Sequence, residues 1–227
     1  MDKLVLFDMN KTLVEDSKVK DEIAFPKAFR KVYGIDTNID IINYHGMTDK
    51  EMIIEVLKKN GLDEQTIKSK LEEYIKVMTN IFSKKIDRDK IVVLEGVQEL
   101  LKELSRNNVL MGLVTGNLEP IARGELKQIG LDHYFKVGGF GSDNINRTNL
   151  VKLAIKRAEE KFDFNFNNNV FLFGDSPQDM KAGKEAGIKT IGITTGIYSA
   201  EQLKNAGADF ILKNLKDKGK ILKIILS

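Results

Sequence analysis

The chain has 227 residues, 42% hydrophobic and 30% charged, with 36 Lys plus Arg against 33 Asp plus Glu for a formal net charge of +3. Such a length buries a real core, as one large domain or two small ones, and so even a charge balance gives no reason to expect a nucleic-acid or membrane partner. Cysteine is absent, which excludes disulfides, thiolate metal sites and cysteine nucleophiles.

No long uncharged apolar run occurs, and Asp2 and Lys3 follow Met1 directly, so neither a signal peptide nor a membrane span is expected. The expectation is a cytoplasmic enzyme or binding protein, monomeric or a small homo-oligomer.

Leu4-Val5-Leu6-Phe7 is an unbroken apolar run that stops at Asp8. A strand wet on one side would alternate, so this one is predicted to be buried on both faces. From about residue 15 to 91 little reads as strand. Apolar residues recur at helical spacing over Ala24 to Tyr33, over Lys50 to Lys59, and from Asp63 or Glu64 to about Phe82, with Gly34 and Gly61 as stops and Thr48 or Asp49 as a cap. Val92 to Val97 then leads into a helix ending near Arg106.

Val109 to Val114 is a second apolar run, ending in Thr115-Gly116-Asn117, with a helix from about Glu119 to Ile129 behind it. A short strand is predicted at Phe135 to Phe140 and a helix from Asn149 to Lys161, with Arg147 in the loop before it. Val170 to Phe173 ends in Gly174-Asp175, and the next helix stops at Gly187. Thr190 to Thr194 and Asp209 to Leu212 complete the strands, and the Lys-rich Lys213 to Lys223 reads as a solvated helix or a loose end. Strands alternating with helices require a parallel sheet with right-handed crossovers. The fold class is therefore α/β: a Rossmann-like core of residues 1–14 and 92–227, with an all-helical cap of residues 15–91 inserted.

Three buried strands thus end in Asp8, Thr115-Gly116-Asn117 and Gly174-Asp175. Parallel strands put these ends on one edge, where open α/β sheets bind ligands. Asp8 alone could be no more than a helix cap. Paired with Asp175 it would suffer mutual repulsion, which Mg2+ relieves with its preference for oxygen ligands and substrate phosphate. Thr115 offers a hydroxyl, Gly116 allows close backbone approach, and Arg147 adds a fixed positive charge, so the site suits a phosphate group.

The motifs Asp8-Met9-Asn10-Lys11-Thr12-Leu13, Thr115, a basic residue near 147, and Gly174-Asp175-Ser176-Pro177-Gln178-Asp179 resemble the four motifs of the haloacid dehalogenase-like (HAD) hydrolase superfamily, in its phosphoglycolate phosphatase-like branch with a helical C1-type cap. The resemblance implies that Asp8 is a nucleophile forming an aspartyl-phosphate. It implies Mg2+ held by Asp8, Asp175 and the backbone carbonyl of Asn10, with Asp179 supporting the metal's water ligands. Thr115, Gly116, Asn117 and Arg147 would hold the phosphoryl group of a small phosphorylated metabolite. Lys152 competes with Arg147 for the basic role.

The family's phosphatases carry a second Asp two residues after the nucleophile, where this chain has Asn10. An amide orients a water or leaving group but exchanges no proton at neutral pH, and general acid–base catalysis is worth about 10² to 10⁴-fold. Asn10 is either a deliberate substitution that traps a complex or a natural variant of low or altered activity. The expectation is an impaired phosphatase, with a phosphomutase or a non-catalytic phosphate-binding module as alternatives. Dehalogenation has no use for Asp175 and Asp179, and no cap lysine stands in a context that marks a Schiff base. Thr12 reads as a turn residue, His45 as an exposed loop residue that could face the crevice, His133 and Tyr134 as strand-entry packing, and Phe162, Phe164 and Phe166 as core edge.

Overall fold

The computed structural model describes residues 2–15, 17–88, 90–167 and 169–226. Among the described residues, six strands form one parallel sheet: β1 (Leu4–Phe7), β2 (Leu110–Thr115), β3 (Val137–Phe140), β4 (Val170–Gly174), β5 (Lys189–Ile193) and β6 (Phe210–Leu212), in the order β3-β2-β1-β4-β5-β6. The expected α/β Rossmann-like sheet is therefore present.

Side chains alternate across each strand, and β1 shows why its sequence does not. Val5 and Phe7 enter a core with α4 (Val97–Arg106), α5 (Glu119–Gln128) and α9 (Lys218–Leu226), while Leu4 and Leu6 enter another with α6 (Arg147–Phe162) and α7 (Pro177–Glu185). Both faces are dry, so both must be apolar. Phe7 stacks on Phe173 at 4.9 Å between ring centroids and meets Phe135 edge-on, directly beneath the end of β1.

Between β1 and α4 lie α1 (Phe25–Tyr33), α2 (Asp49–Lys59) and α3 (Glu64–Ser83), with a π-helical segment, Val19–Ala24, running into α1. They bury a third cluster that includes Phe25, Phe29, Ile53, Tyr74 and Phe82 and extends onto Leu118 and Ile121 at the start of α5. The chain leaves and re-enters at one seam: Val14 bridges Val93, Glu15 N donates to Val92 O at 2.9 Å, and Leu94 N donates to Leu13 O at 2.9 Å.

Three elements depart from the expectation. Asn146 caps α6 by accepting from Asn149 N, which starts the helix two residues early and makes Arg147 its first residue rather than part of the loop before it. The six-residue α8 (Ala200–Asn205), with a Ser199–Gln202 capping box, was not foreseen. The Lys-rich tail is a helix that buries Ile221 and Ile225 rather than a wholly solvated one. No helix among the described residues is long and apolar enough to cross a membrane.

Candidate active site

The strand order reverses at β1, between β2 on one side and β4 on the other, which is where open α/β sheets form a ligand crevice. Phe7 lies level with Leu113 and Phe173, so Asp8, the loop after Thr115, and Asp175 emerge at one edge. Asp8 N still donates to Phe173 O at 2.8 Å, prolonging the ladder under its carboxylate. A tight turn follows, closed by Leu13 N to Met9 O at 2.8 Å and Lys11 N to Val14 O at 2.7 Å, with Lys11 left-handed at φ 58. Thr195 Oγ1 donates to Lys11 O and pins that turn from the loop after β5.

Carboxylate oxygens of Asp8, Asp175 and Asp179 come within 4.8 Å of one another. Arg147 joins two of them: Nη2 donates to Asp8 Oδ1, and Nε lies 2.6 Å from Asp179 Oδ1 but off the N–H direction, an ion pair without hydrogen-bond geometry. Asp179 Oδ2 is fixed separately, accepting from Ser176 N at 3.1 Å and Ser176 Oγ at 2.6 Å in the box that caps α7. A Cβ on Gly174 would stand 2.3 Å from Asp179 Cγ, so only glycine lets this carboxylate lie against β4.

One guanidinium does not balance three acids. Burial holds the Asp8 carboxyl well above its usual range; Arg147 pulls it down, but Asp179 and Asp175 push it up again. Arg147 itself is held above its usual range, because the attraction of Asp179 and Asp8 outweighs the burial that would lower it. The surplus negative charge on hard oxygen donors fits a divalent cation such as magnesium.

The roof is built by the helical block. Asp49 N donates to Gly116 O and Leu118 N donates to Asp49 Oδ2, each at 2.8 Å. A Cβ on Gly116 would sit 2.7 Å from Met47 O, so Gly116 is needed for this docking. Lys20, in the π-helical segment, is 4% exposed and donates to Asn117 Oδ1 at 2.8 Å, 3.5 Å from Asp49 Oδ1 and 3.8 Å from Asp21 Oδ1. Asn117 Nδ2 in turn donates to Asn10 Oδ1 at 2.8 Å. Asn117 N donates to Thr115 Oγ1 at 3.2 Å, and Thr115 lines the crevice.

The sequence model of "haloacid dehalogenase-like hydrolase" matches residues 5–193. The chain belongs to the haloacid dehalogenase-like hydrolases. Phosphoglycolate phosphatase of Vibrio cholerae is 24% identical over 225 residues, 99% of this chain and 97% of that protein. Pyrophosphatase PpaX of Listeria monocytogenes is 26% identical over 216 residues, 94% of this chain and 93% of that one. Among solved structures, CbbY from Rhodobacter sphaeroides in complex with phosphate superposes with a TM-score of 0.74 at 19% identity, covering 96% of this chain and 97% of that one.

In this HAD hydrolase the structure brings Asp8, Asn10, Thr115, Gly116, Asn117, Arg147 and Asp175 to one crevice of about 130 Å³, with Asp179 buried beneath it. Arg147 is at the acids whereas Lys152 is exposed on α6. His45 is exposed and lines the crevice, its ring against Tyr44. Thr12 is buried, its hydroxyl without a hydrogen-bond partner among the described residues. Lys20, Asp49 and Tyr198 were missed. Lys20 reads as one more solvated lysine; only its partners, 29 and 97 positions away, bury it.

Glu125 on α5 was also missed, and it is fully buried near Lys20 and Asp49. Neither oxygen has a well-aligned partner among the described residues, and burial, only partly offset by Lys20, raises its pKa to about 8. The unfolded chain releases this proton near 4.5, so between pH 4.5 and 8 the folded state holds a proton that the unfolded state does not. Stability therefore falls as pH rises through that window and levels off above it. Glu125→Gln should gain on the native chain by roughly 3 kcal/mol between pH 4.5 and pH 7.5. Urea melts of both proteins at those two values read the difference, and a constant gap would refute it.

Proposed function

We propose that this chain is a magnesium-dependent phosphatase of small phosphorylated metabolites, working through an aspartyl-phosphate on Asp8. The observation that carries the reading is the meeting of Asp8, Asp175 and Asp179 with Arg147 and the Thr115 hydroxyl at the switch point of the sheet. The names of the Vibrio and Listeria relatives, a phosphatase of phosphoglycolate and a pyrophosphatase, support a small phosphorylated substrate.

Asp8, Asp175 and the Asn10 carbonyl would hold the magnesium ion, and Asp179 would order its water ligands. When bound, the ion supplies positive charge that keeps Asp8 ionised and offsets the phosphoryl oxygens. Asp8 Oδ forms a bond to phosphorus as the bond to the leaving oxygen breaks, and that electron pair departs with the leaving group. Arg147, the Thr115 hydroxyl and the amides of Gly116 and Asn117 hold the phosphoryl oxygens, since this transfer is catalysed mostly by positioning and charge. Water then attacks phosphorus as the bond from phosphorus to Asp8 Oδ breaks; that electron pair returns to the carboxylate, and the water's proton leaves with the released phosphate or to solvent. Residues 15–91 act as a cap over residues 1–14 and 92–227, excluding bulk water and selecting the leaving group.

Asn10 favours one second reading, a module that binds phosphate compounds without turning them over. Assay of phosphoglycolate and pyrophosphate with magnesium and with EDTA separates the two. Expected are turnover with magnesium, its loss in EDTA, and a hydroxylamine-labile phosphoryl label that peptide mapping assigns to Asp8. Turnover that survives EDTA, or a label on another residue, would overturn the phosphatase reading; phosphate binding with no label supports the module.

A further inference from the structure

Two loops complete the crevice around the acids, and a glycine seats each of them. A Cβ on Gly196 would overlap Asp175 Oδ2, so only glycine lets the loop after β5 run against that carboxylate and bring Ile197 and Tyr198 into the lining. From the helical block comes the turn Tyr44 to Met47, closed by Met47 N to Tyr44 O at 3.0 Å. Gly46, left-handed at φ 81, packs this turn on Gln178 of α7, where a Cβ would fall 2.5 Å from Cδ, and Gln178 Nε2 donates to His45 O at 3.4 Å. Tyr44, Met47, Met52, Ile197 and Tyr198 thus share the lining with the acids, and Ile197 is 64% exposed at its rim.

The charges there are already matched. Among the described residues, the lysines that line the crevice are Lys11 and Lys20. Lys11 pairs with Glu15, and Lys20 lies 3.5 Å from Asp49 Oδ1 and 3.8 Å from Asp21 Oδ1 besides donating to Asn117. Two ammonium groups therefore stand against three carboxylates, while Arg147 is taken up by Asp8 and Asp179. A second anion on a substrate would have to displace an acid already paired, and the displaced acid would stay close by.

Granting the phosphatase reading above, we propose that this site takes phosphate monoesters whose leaving group is apolar and uncharged, and disfavours compounds that carry a second carboxylate or phosphate. The two loops give the leaving group an apolar surface, and the surplus of acids repels a second anion. Phosphoglycolate and pyrophosphate, in the names of the relatives, both carry that second anion, so this chain turns them over less well than a neutral ester. In the transfer to Asp8 the ester P–O bond breaks and its electron pair leaves on the ester oxygen, which takes its proton from solvent.

The test compares kcat/KM for phenyl phosphate and 4-carboxyphenyl phosphate with magnesium at pH 8, where an imidazole on the lining carries no charge. The carboxylate makes the phenolate no worse a leaving group, so the comparison reads charge and not reactivity. The native chain should favour phenyl phosphate by at least about tenfold. Ile197→Lys puts a cation on the rim and should raise the carboxylated ester by about tenfold while lowering phenyl phosphate. Ile197→Ala should lower phenyl phosphate by about threefold to tenfold, through KM. Substitution at so exposed a position should leave the fold intact, and the native comparison needs no variant. Equal or better use of the carboxylated ester by the native chain, or an unchanged ratio in Ile197→Lys, overturns the proposal and leaves the phosphatase reading intact. If neither ester is hydrolysed or labels Asp8, the phosphatase reading fails and this inference with it.

Discussion

Asp8→Asn should abolish turnover, by roughly 10⁴-fold or more as for other lost nucleophiles, and yet yield a protein that melts at a higher temperature than the native chain without magnesium. Both effects follow from the same crowding. The Asp8 carboxyl is held above its usual range by burial and by Asp179 and Asp175, so its ionised form costs stability at neutral pH, increasingly so as pH rises above the unfolded value of 3.8. An amide of the same shape removes that cost and leaves Arg147 its pairing with Asp179. Calorimetry with EDTA should show the higher melting temperature, and saturating magnesium should favour the native chain instead, because the variant loses a ligand. A variant less stable than the native chain in EDTA would mean that Arg147 already balances the site.

Asn10→Asp should raise kcat on acetyl phosphate, whose carboxylate leaves without a proton, by about 10² to 10⁴-fold, or roughly 3 to 5 kcal/mol of barrier. The gain comes largely from the second half of the reaction. Attack of water on the aspartyl-phosphate needs a base, and position 10 is the place from which one would act. The native chain should thus accumulate phosphorylated Asp8 during turnover, whereas Asn10→Asp should hold little. Quenching both reactions and measuring the phosphorylated fraction decides this. The same substitution adds a carboxylate beside three others, so it should lower the melting temperature in EDTA. An unchanged kcat would favour the binding-module reading.

β1, β2 and β4 were legible in the sequence because burial on both faces leaves no polar residue to blur the pattern. Each run also ends abruptly in a residue that can bind something. The cap helices were legible for the opposite reason, a clean apolar period with Gly34 and Gly61 as stops. What the sequence hides is polar burial. Lys20, Asp49 and Glu125 sit among charged neighbours in the chain and become buried only when α2, α5 and the π-helical segment converge. Arg147 and Lys152 were hard to separate because both are basic residues near the start of α6, and only the packing of that helix shows Arg147 at Asp8 and Lys152 exposed. The tail misled because its lysines mask Ile221 and Ile225, one turn apart on the face that packs under the sheet.

The seam at Val14 and Val93 has a consequence for how such a molecule changes over evolutionary time. Because the departing and returning segments are stitched side by side, a helical block of different size or shape spliced in at that point leaves the register of β1 against β2 and β4 untouched, provided that it keeps docking partners for Gly116, Asn117 and the start of α5.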